Sequence, residues 1–409
     1  MSIGAPLLIT RKILQILLGT LTFAVLARVL TKEQFAIYTL AFTFITLFRL
    51  AALPGIGKAI SQGFARGNTG GFRHALLLSL LCSFGGSLII GSIGIWNYHN
   101  NSIETAIVLL VTATLFPLQT GLLYWQDVLS GQERYGRLLA FEAVSFSLKT
   151  SGIITCALLF PDKLYLVVLA ALFAPALVNA IATLFILREV PAIAKGEENA
   201  ISYGVRITLY QIPTVLSTQL DKLVLFYYIS PEALAVYSVA MRIPELSYGL
   251  IFEANATLGP LFARQKYYTK ALKTFTSKLW LIYFGISVFG ALFIVPLLIP
   301  LLAGKEYEEA TVLAQIMTVG ASFGFYGNIQ FRFVKSQLDS KRYLYITVLS
   351  GSIDVILILS LIIMFGLPGA VAAFVLKRLC YSIVVNSALS GKHISGKLSM
   401  NNSSHMGGQ

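Results

Sequence analysis

One segment of this sequence occurs twice, about half a chain length apart. The two copies are residues 31–42, TKEQFAIYTLAF, and residues 230–241, SPEALAVYSVAM, and an offset of 199 positions separates Thr31 from Ser230. The residues that stay in register between the copies are Glu33/Glu232, Ala36/Ala235, Ile37/Val236, Tyr38/Tyr237 and Ala41/Ala240. A repeat that spans about half of a chain predicts two homologous lobes.

The composition is that of an integral membrane protein. Hydrophobic residues make up 56% of the 409 residues and charged residues only 12%, and the mean hydropathy is +0.77. In soluble domains, about a quarter of the residues are charged. Most of the chain must therefore lie inside the bilayer, which leaves no room for a soluble catalytic domain. We interpret the first apolar run, which carries Arg11 and Lys12 at its start, as a retained transmembrane helix rather than a signal peptide.

Apolar runs long enough to cross about 30 Å of hydrocarbon occur at twelve places along the chain. Their centres are near Gly19, Phe48, Gly85, Leu115, Phe146, Phe173, Val215, Gly249, Val288, Phe323, Ile356 and Phe374. The sequence therefore predicts an all-α membrane protein of about 12 transmembrane helices in two pseudo-symmetric six-helix lobes. We assign residues 1–190 to the N-terminal lobe, 191–204 to a cytoplasmic linker, 205–394 to the C-terminal lobe and 395–409 to a disordered cytoplasmic tail.

The basic residues are distributed unevenly between the two sets of loops. One set, which includes both termini and the linker, holds twenty of the 31 Lys and Arg residues, and the other holds Arg28, Lys32, Lys163 and Lys305. We call the first the basic side and the second the opposite side. An excess of Lys and Arg marks cytoplasmic loops, so we expect both termini in the cytoplasm and the protein in the inner membrane. Topology and contact with anionic membrane lipids explain the net charge of +13, and no nucleic-acid partner is expected.

Twelve charged residues fall inside the predicted spans. They are Arg49, Lys58, Lys149, Lys222, Arg242, Lys377 and Arg378, with Glu142, Asp221, Glu245, Glu253 and Asp354. A charge at mid-bilayer costs about 2.5–3.5 kcal/mol on insertion scales. These side chains should therefore face a water-filled cavity or each other, and we expect Arg49 and Arg242 to face the cavity.

Spacing brings several of these residues to the same depth. Asp221 precedes the turn at Pro231 by ten residues and Arg242 follows it by eleven, so either an Asp221–Arg242 or a Lys222–Glu245 pair is available to antiparallel helices. The seventh span also carries a polar stripe of Gln211, Thr214, Thr218 and Asp221.

Two other constellations point into the same interior. Asp354 and Arg378 lie twelve residues on either side of Gly366, where a structural ion pair and contact with a substrate both remain open. Glu142 and Lys149 share one face of the fifth span. Several helices thus carry a polar face into a common interior.

The sequence shows no catalytic site, cofactor motif or metal-ligand set. The four histidines lie at span ends, in loops or in the tail, the three cysteines lie in apolar runs, and no P-loop pattern is present. A membrane polymerase or ligase would need a sizeable external loop with catalytic residues, and the predicted external loops are short. We therefore do not expect an enzyme.

Several motifs resemble one family of membrane transporters. They are LARVLTKEQFAIY (26–38), LDKL (220–223), EALAVYSVA (232–240), PLFAR (260–264) and GLPGAVA (366–372). The likeness runs over almost the full length of the chain. These motifs resemble the polysaccharide-transport family of the multidrug/oligosaccharidyl-lipid/polysaccharide (MOP) exporter superfamily, which includes O-antigen and capsule repeat-unit flippases.

The resemblance implies a two-lobed transporter with a cationic central cavity. Such a protein moves undecaprenyl-diphosphate-linked oligosaccharides from the cytoplasmic to the periplasmic leaflet by alternating access. It would act alongside a polysaccharide polymerase and a chain-length regulator, and coupling to H⁺ or Na⁺ stays open. We expect the substrate path to be lined by Arg49, Lys149, Lys222 and Arg242. Supporting or coupling roles fall to Asp221, Glu142, Glu245, Asp354, Arg378 and Gln211.

A multidrug/cation antiporter of the same superfamily is the alternative function. Such antiporters usually couple to ions through carboxylates in the N-terminal lobe, especially in the first helix. That helix has none here, and Glu142 is the only acid in the predicted spans of the lobe. A peptidoglycan-precursor flippase is also similar, but that family commonly has fourteen helices.

Overall fold

We describe a computed structural model, which covers residues 4–68, 71–190, 200–256, 262, 264–265, 267–337 and 340–390. In the N-terminal half the helices are α1 (Gly4–Val29), α2 (Lys32–Phe48), α3 (Pro54–Ala65), α4 (Phe72–His99), α5 (Ile103–Thr120), α6 (Tyr124–Gly131), α7 (Tyr135–Leu159) and α8 (Leu164–Glu189). In the C-terminal half they are α9 (Ala200–Val224), α10 (Pro231–Ala256), α11 (Lys270–Phe289), α12 (Val295–Ala303), α13 (Ala310–Ser336) and α14 (Ser340–Ser390).

These helices make twelve membrane crossings within the described residues. Eight helical segments are long and apolar enough to cross a membrane, and the last of them, Lys341–Leu389, contains two crossings because α14 breaks at Gly366. The helices α9, α10 and α13 are more polar but have 25, 26 and 27 residues. Since a helix rises about 1.5 Å per residue, each is long enough to span the bilayer. The prediction of an all-α membrane protein with about 12 crossings is confirmed.

Three crossings are each built from two helices, namely α2 with α3, α5 with α6, and α11 with α12. A 3₁₀ segment, Arg49–Ala52, joins α2 to α3, and a π-helical turn, Gly290–Ile294, joins α11 to α12. Between α2 and α3, Leu53 adopts a φ of 53°, which is rare for a residue with a side chain. Pro54 then starts α3 at a position where its missing N–H costs nothing. The second crossing is consequently broken near mid-membrane.

The sequence repeat corresponds to a structural repeat. Thr31 caps α2 by accepting a hydrogen bond from the Gln34 N–H (3.2 Å), and Ser230 caps α10 by accepting one from the Ala233 N–H (3.1 Å). The two helices that follow these caps, α2 and α10, pack against each other across the two lobes. Their repeated alanines are fully buried (Ala36, Ala41, Ala235 and Ala240), and such small residues let two helices approach closely.

The lobes touch each other at both ends. On the opposite side, Lys32 Nζ lies 2.7 Å from Glu309 Oε1, and the guanidinium of Arg28 donates to the Leu301 carbonyl (2.5 Å). On the basic side, α3 packs on α9, where the Gly55 N–H donates to Thr208 Oγ1 (3.0 Å). A Cβ at Gly55 would lie 2.1 Å from the carbonyl oxygen of Gly204, so this contact requires glycine.

The predicted domain boundaries are not tested by these contacts. Helix α9 already begins at Ala200, inside the range 191–204 assigned to the linker. Residues 191–199 and the predicted tail 395–409 lie outside the described residues.

Candidate functional site: a cationic cavity between the lobes

A cavity of about 450 Å³ lies between the two lobes. Side chains from α1, α2, α7, α9 and α10 line it. The lining runs from Lys12 and Gly249, near the basic side, to Leu26 and Phe35, near the opposite side. It therefore follows most of the depth of the membrane along the seam between the repeat-related helices.

The charge of this cavity is positive. Four cationic side chains line it, against the single carboxylate of Glu245, and these cations are Lys12, Lys149, Lys222 and Arg242. The sequence predicted the last three at this place, and the structure brings them together from three different helices. Lys12 was not among the predicted cavity residues, but α1 starts at Gly4, early enough to carry it into the cavity.

Lys149 enters the cavity from α7. Its Nζ lies 4.9 Å from the centroid of the Phe42 ring, a distance at which a cation is attracted to an aromatic face. No described acidic side chain lies within ion-pair distance of it. Lys149 is therefore a cation without an anionic partner among the described residues, and an anionic ligand could supply one.

Arg242 enters from α10 on the other side of the cavity. Its guanidinium carbon lies 5.3 Å from the centroid of the Phe23 ring, and its buried Nε has no hydrogen-bond partner. Gly19 makes room for this side chain, since a Cβ there would lie 3.3 Å from Arg242 Nη2. Tyr38 contributes a hydroxyl to the same part of the cavity. A buried donor without a partner carries an energetic cost that an incoming anion would remove.

Asp221 lies outside the cavity lining, in the interior of the C-terminal lobe. Its side chain is buried, and its Oδ2 accepts a hydrogen bond from the Tyr237 hydroxyl (2.7 Å) and lies 3.4 Å from Lys377 Nζ. Neither proposed hairpin pair is formed: Asp221 is paired with Lys377 rather than Arg242, and no Lys222–Glu245 ion pair occurs among the described residues. The partner of Asp221 comes from α14, 156 positions away.

Asp354 and Arg378 belong to the same lobe interior. Asp354 is half-buried and lies within the electrostatic reach of Lys377, whereas the hydroxyl of the neighbouring Ser217 donates to the Thr214 carbonyl (3.1 Å). The Arg378 guanidinium carbon stacks 3.4 Å from the centroid of the Phe374 ring, and its Nη1 donates to the Phe374 carbonyl (3.2 Å). These two residues lie outside the cavity lining, and their geometry is that of a packed structural network.

Two further predicted residues are held elsewhere. Glu142, buried in α7, forms an ion pair with Arg11 of α1, where Arg11 Nη2 lies 2.7 Å from Oε1. Gln211 in α9 has a buried Nε2 without a hydrogen-bond partner and does not line the cavity.

Arg49 departs from the sequence-based expectation. It does not line the cavity, because the 3₁₀ break at Arg49–Ala52 interrupts the helix whose face enters it. Its charge instead interacts with Asp127 of α6. Asp127 packs against Gly57 of α3, where a Cβ would lie 2.2 Å from its Oδ2. Sequence reasoning missed this carboxylate, which lies near the end of an apolar run.

Comparison with solved structures gives the fold. The lipid II flippase MurJ in an inward closed conformation aligns with a TM-score of 0.71 and 14% identity, over 93% of this chain and 87% of that one. An inward-facing multidrug resistance MATE family transporter of the MOP superfamily aligns with a TM-score of 0.63 and 16% identity, over 93% and 96%. A MOP superfamily transporter from Pyrococcus furiosus, described as having a binding pocket of reverse polarity, aligns with a TM-score of 0.61 and 16% identity, over 94% and 95%.

This chain, with its two lobes of six crossings, thus shares its fold with these transporters. Residues 4–266 match the family described as polysaccharide biosynthesis protein. Because this match covers more than half of the 409 residues, the chain belongs to that family. Comparison with curated proteins gives no significant match.

Proposed function

We propose that this protein is a flippase that moves undecaprenyl-diphosphate-linked oligosaccharide repeat units, of the O-antigen, capsule or exopolysaccharide type, across the inner membrane. The observation that carries the proposal is the placement of Lys12, Lys149, Lys222 and Arg242 around one cavity between the lobes. Family membership supports the connection with polysaccharide biosynthesis.

The physical argument rests on the diphosphate. Moving its negative charges from water into a low-dielectric membrane is costly, and cations along the path offset that cost. Lys149 and Arg242 suit this role because neither is neutralised by an ion pair with a described residue. Arg242 can offer a phosphate two parallel N–H groups, whereas Lys149 acts as a point charge.

The same charges disfavour the antiporter alternative. A cationic drug in this cavity would meet four positive side chains and the single carboxylate of Glu245. Like charges in a low-dielectric cavity repel strongly. An anionic cargo therefore fits the cavity better than a cationic one.

For the orientation, we propose that the basic side faces the cytoplasm, which follows from the excess of Lys and Arg there. Transport by alternating access would then break the Gly55–Gly204 contact to open inward and the Lys32–Glu309 contact to open outward. Coupling to H⁺ or Na⁺, and action alongside a polymerase and a chain-length regulator, stay predictions.

The decisive experiment measures lipid-linked sugars in inner membranes from a deletion strain and its parent, by mass spectrometry of extracted lipid. We expect completed repeat units to accumulate in the deletion strain and to be cleared when the gene is restored. Unchanged lipid-linked sugars together with altered tolerance to cationic dyes would overturn the proposal in favour of the antiporter.

A further inference from the structure

A second cleft, of about 540 Å³, lies at the opposite side of the bundle. It is formed by the start of α2, the turn between α4 and α5, and the π-helical segment Leu225–Ile229 with Pro231. The first two belong to the N-terminal half and the last to the C-terminal half. This cleft is thus assembled by both lobes, at the end of the molecule remote from the basic side.

Two aromatic rings form one wall of the cleft. Trp96 is 56% exposed and Tyr227 is 42% exposed, with ring centroids 6.0 Å apart in an edge-to-face arrangement. Asn97, which is buried, holds the second ring in place by donating from Nδ2 to the Tyr227 hydroxyl (3.3 Å). One aromatic ring from each lobe is therefore available to an apolar surface of a ligand.

Hydrogen-bonding groups share the rest of the lining with apolar side chains, which are Ile37, Ile103, Phe226 and Pro231. Asn100, Asn101 and Ser102 supply amides and a hydroxyl from the α4–α5 turn, where Asn101 adopts a φ of 61°. Glu33 and Glu104 add carboxylates, and Glu104 Oε1 accepts a hydrogen bond from Gln34 Nε2 (3.4 Å). The cleft lining includes no Lys or Arg, so its chemistry is the reverse of that of the central cavity.

We propose that this cleft binds an uncharged saccharide unit. The hydrophobic C–H face of a sugar ring can lie on Trp96 or Tyr227, while its hydroxyls donate to the carboxylates and accept from the amides. The two glutamates exclude a ligand with several negative charges. The volume lies within the range of about 300–1,000 Å³ that is usual for small-molecule pockets.

The identity of the physiological ligand rests on the proposed function. For a flippase of lipid-linked sugars, the oligosaccharide reaches the opposite side while the diphosphate is still held by the cationic cavity. Since both lobes build the cleft, it changes shape when they move, so the sugar would bind one conformation in preference to another.

Interfacial anchoring is the simpler account of exposed Trp and Tyr at this depth. Such a belt requires only aromatic rings at the level of the lipid head groups. It does not account for a cleft shared between two lobes, nor for three amide or hydroxyl side chains and two carboxylates facing the same space.

The test is isothermal titration calorimetry on the purified full-length protein in nanodiscs. The probe is the oligosaccharide released by mild acid from the lipid-linked pool of the host, which lacks the diphosphate, and trigalacturonic acid serves as the anionic comparison. We expect the released oligosaccharide to bind, and Trp96→Ala or Tyr227→Ala to weaken binding at least ten-fold. Trigalacturonic acid should bind at least ten-fold more weakly than the released oligosaccharide.

Tyr98→Ala is the matched control, because Tyr98 is 59% exposed at the end of the same helix but does not line the cleft. Equal weakening by Tyr98→Ala and Trp96→Ala would support anchoring and overturn the proposal, as would absence of binding by the wild-type protein. The deletion-strain experiment measures the accumulation of lipid-linked sugars, and its outcome does not depend on whether the cleft binds a saccharide. The flippase proposal and the cleft proposal can therefore fail separately.

Discussion

Lys377 of α14 places its ammonium 3.4 Å from Oδ2 of Asp221 in α9, and the side chains are only 11% and 2% exposed. Tyr237 of α10 donates its hydroxyl to the same carboxylate oxygen at 2.7 Å. Three helices of the C-terminal lobe are thus joined at one carboxylate. Removing one partner of a buried ion pair leaves an uncompensated charge, which is far more costly than removing both.

Replacement of Lys377 by Met should therefore destabilise the protein strongly. For buried pairs in soluble proteins the loss is about 3–5 kcal/mol, and the lowered melting temperature can be followed by thermal unfolding in detergent. Tyr237→Phe removes a hydrogen bond but no charge, so its loss should be smaller. The double variant Asp221→Asn/Lys377→Met should recover part of the stability. A melting temperature of Lys377→Met equal to that of the wild type would contradict the assignment of this pair as structural.

Replacement of the cavity cations should affect transport rather than stability. We expect Arg242→Ala and Lys149→Ala each to slow clearance of lipid-linked oligosaccharide at least ten-fold, because a hydrogen bond to a charged group contributes about 1.5–3 kcal/mol. Membrane levels of both variants should match the wild type. Lys163→Ala removes an exposed cation on the opposite side, outside the cavity, and serves as the control. Wild-type clearance by Arg242→Ala and Lys149→Ala would remove the basis of the flippase proposal.

The sequence predicted the transmembrane architecture well because hydropathy and helix length together indicate which segments cross a bilayer. It also placed Lys149, Lys222 and Arg242 along a cavity, where they lie, because a charge inside a span must face either water or another charge. Both inferences need only local sequence and an energetic rule.

The partners of the buried acids could not be predicted in the same way. Glu142 pairs with Arg11 and Asp221 with Lys377, across 131 and 156 positions. Which helices become neighbours depends on the packing of the whole bundle, and a hairpin argument considers only adjacent helices. The position of Arg49 was missed for another reason, since the 3₁₀ break at Arg49–Ala52, which leads into the left-handed backbone of Leu53, is not evident in an apolar run.

Arg49 provides a test of whether the substrate path includes this residue, as the sequence predicted, or follows only the cavity, which Arg49 does not line. Because Arg49 lies outside the cavity and interacts with Asp127, Arg49→Ala should slow clearance less than Arg242→Ala does. If Arg49 compensates the negative charge of Asp127, the double variant Arg49→Ala/Asp127→Asn should clear lipid-linked oligosaccharide better than Arg49→Ala alone. Loss of transport by Arg49→Ala that matches Arg242→Ala, without rescue by Asp127→Asn, would restore Arg49 to the substrate path.

The contact between Lys32 and Glu309 gives a test of alternating access. Their side-chain charges meet at 2.7 Å across the two lobes on the opposite side, so a link between them should prevent that side from opening. We expect Lys32→Cys/Glu309→Cys, joined by a flexible bifunctional thiosulfonate, to stop clearance of lipid-linked oligosaccharide and a reductant to restore it. Each single cysteine variant treated with the same reagent controls for Cys82, Cys156 and Cys380, which are free thiols. Continued transport by the linked protein would show that the lobes do not need to separate here, and the path would then have to leave the cavity sideways between α1 and α10.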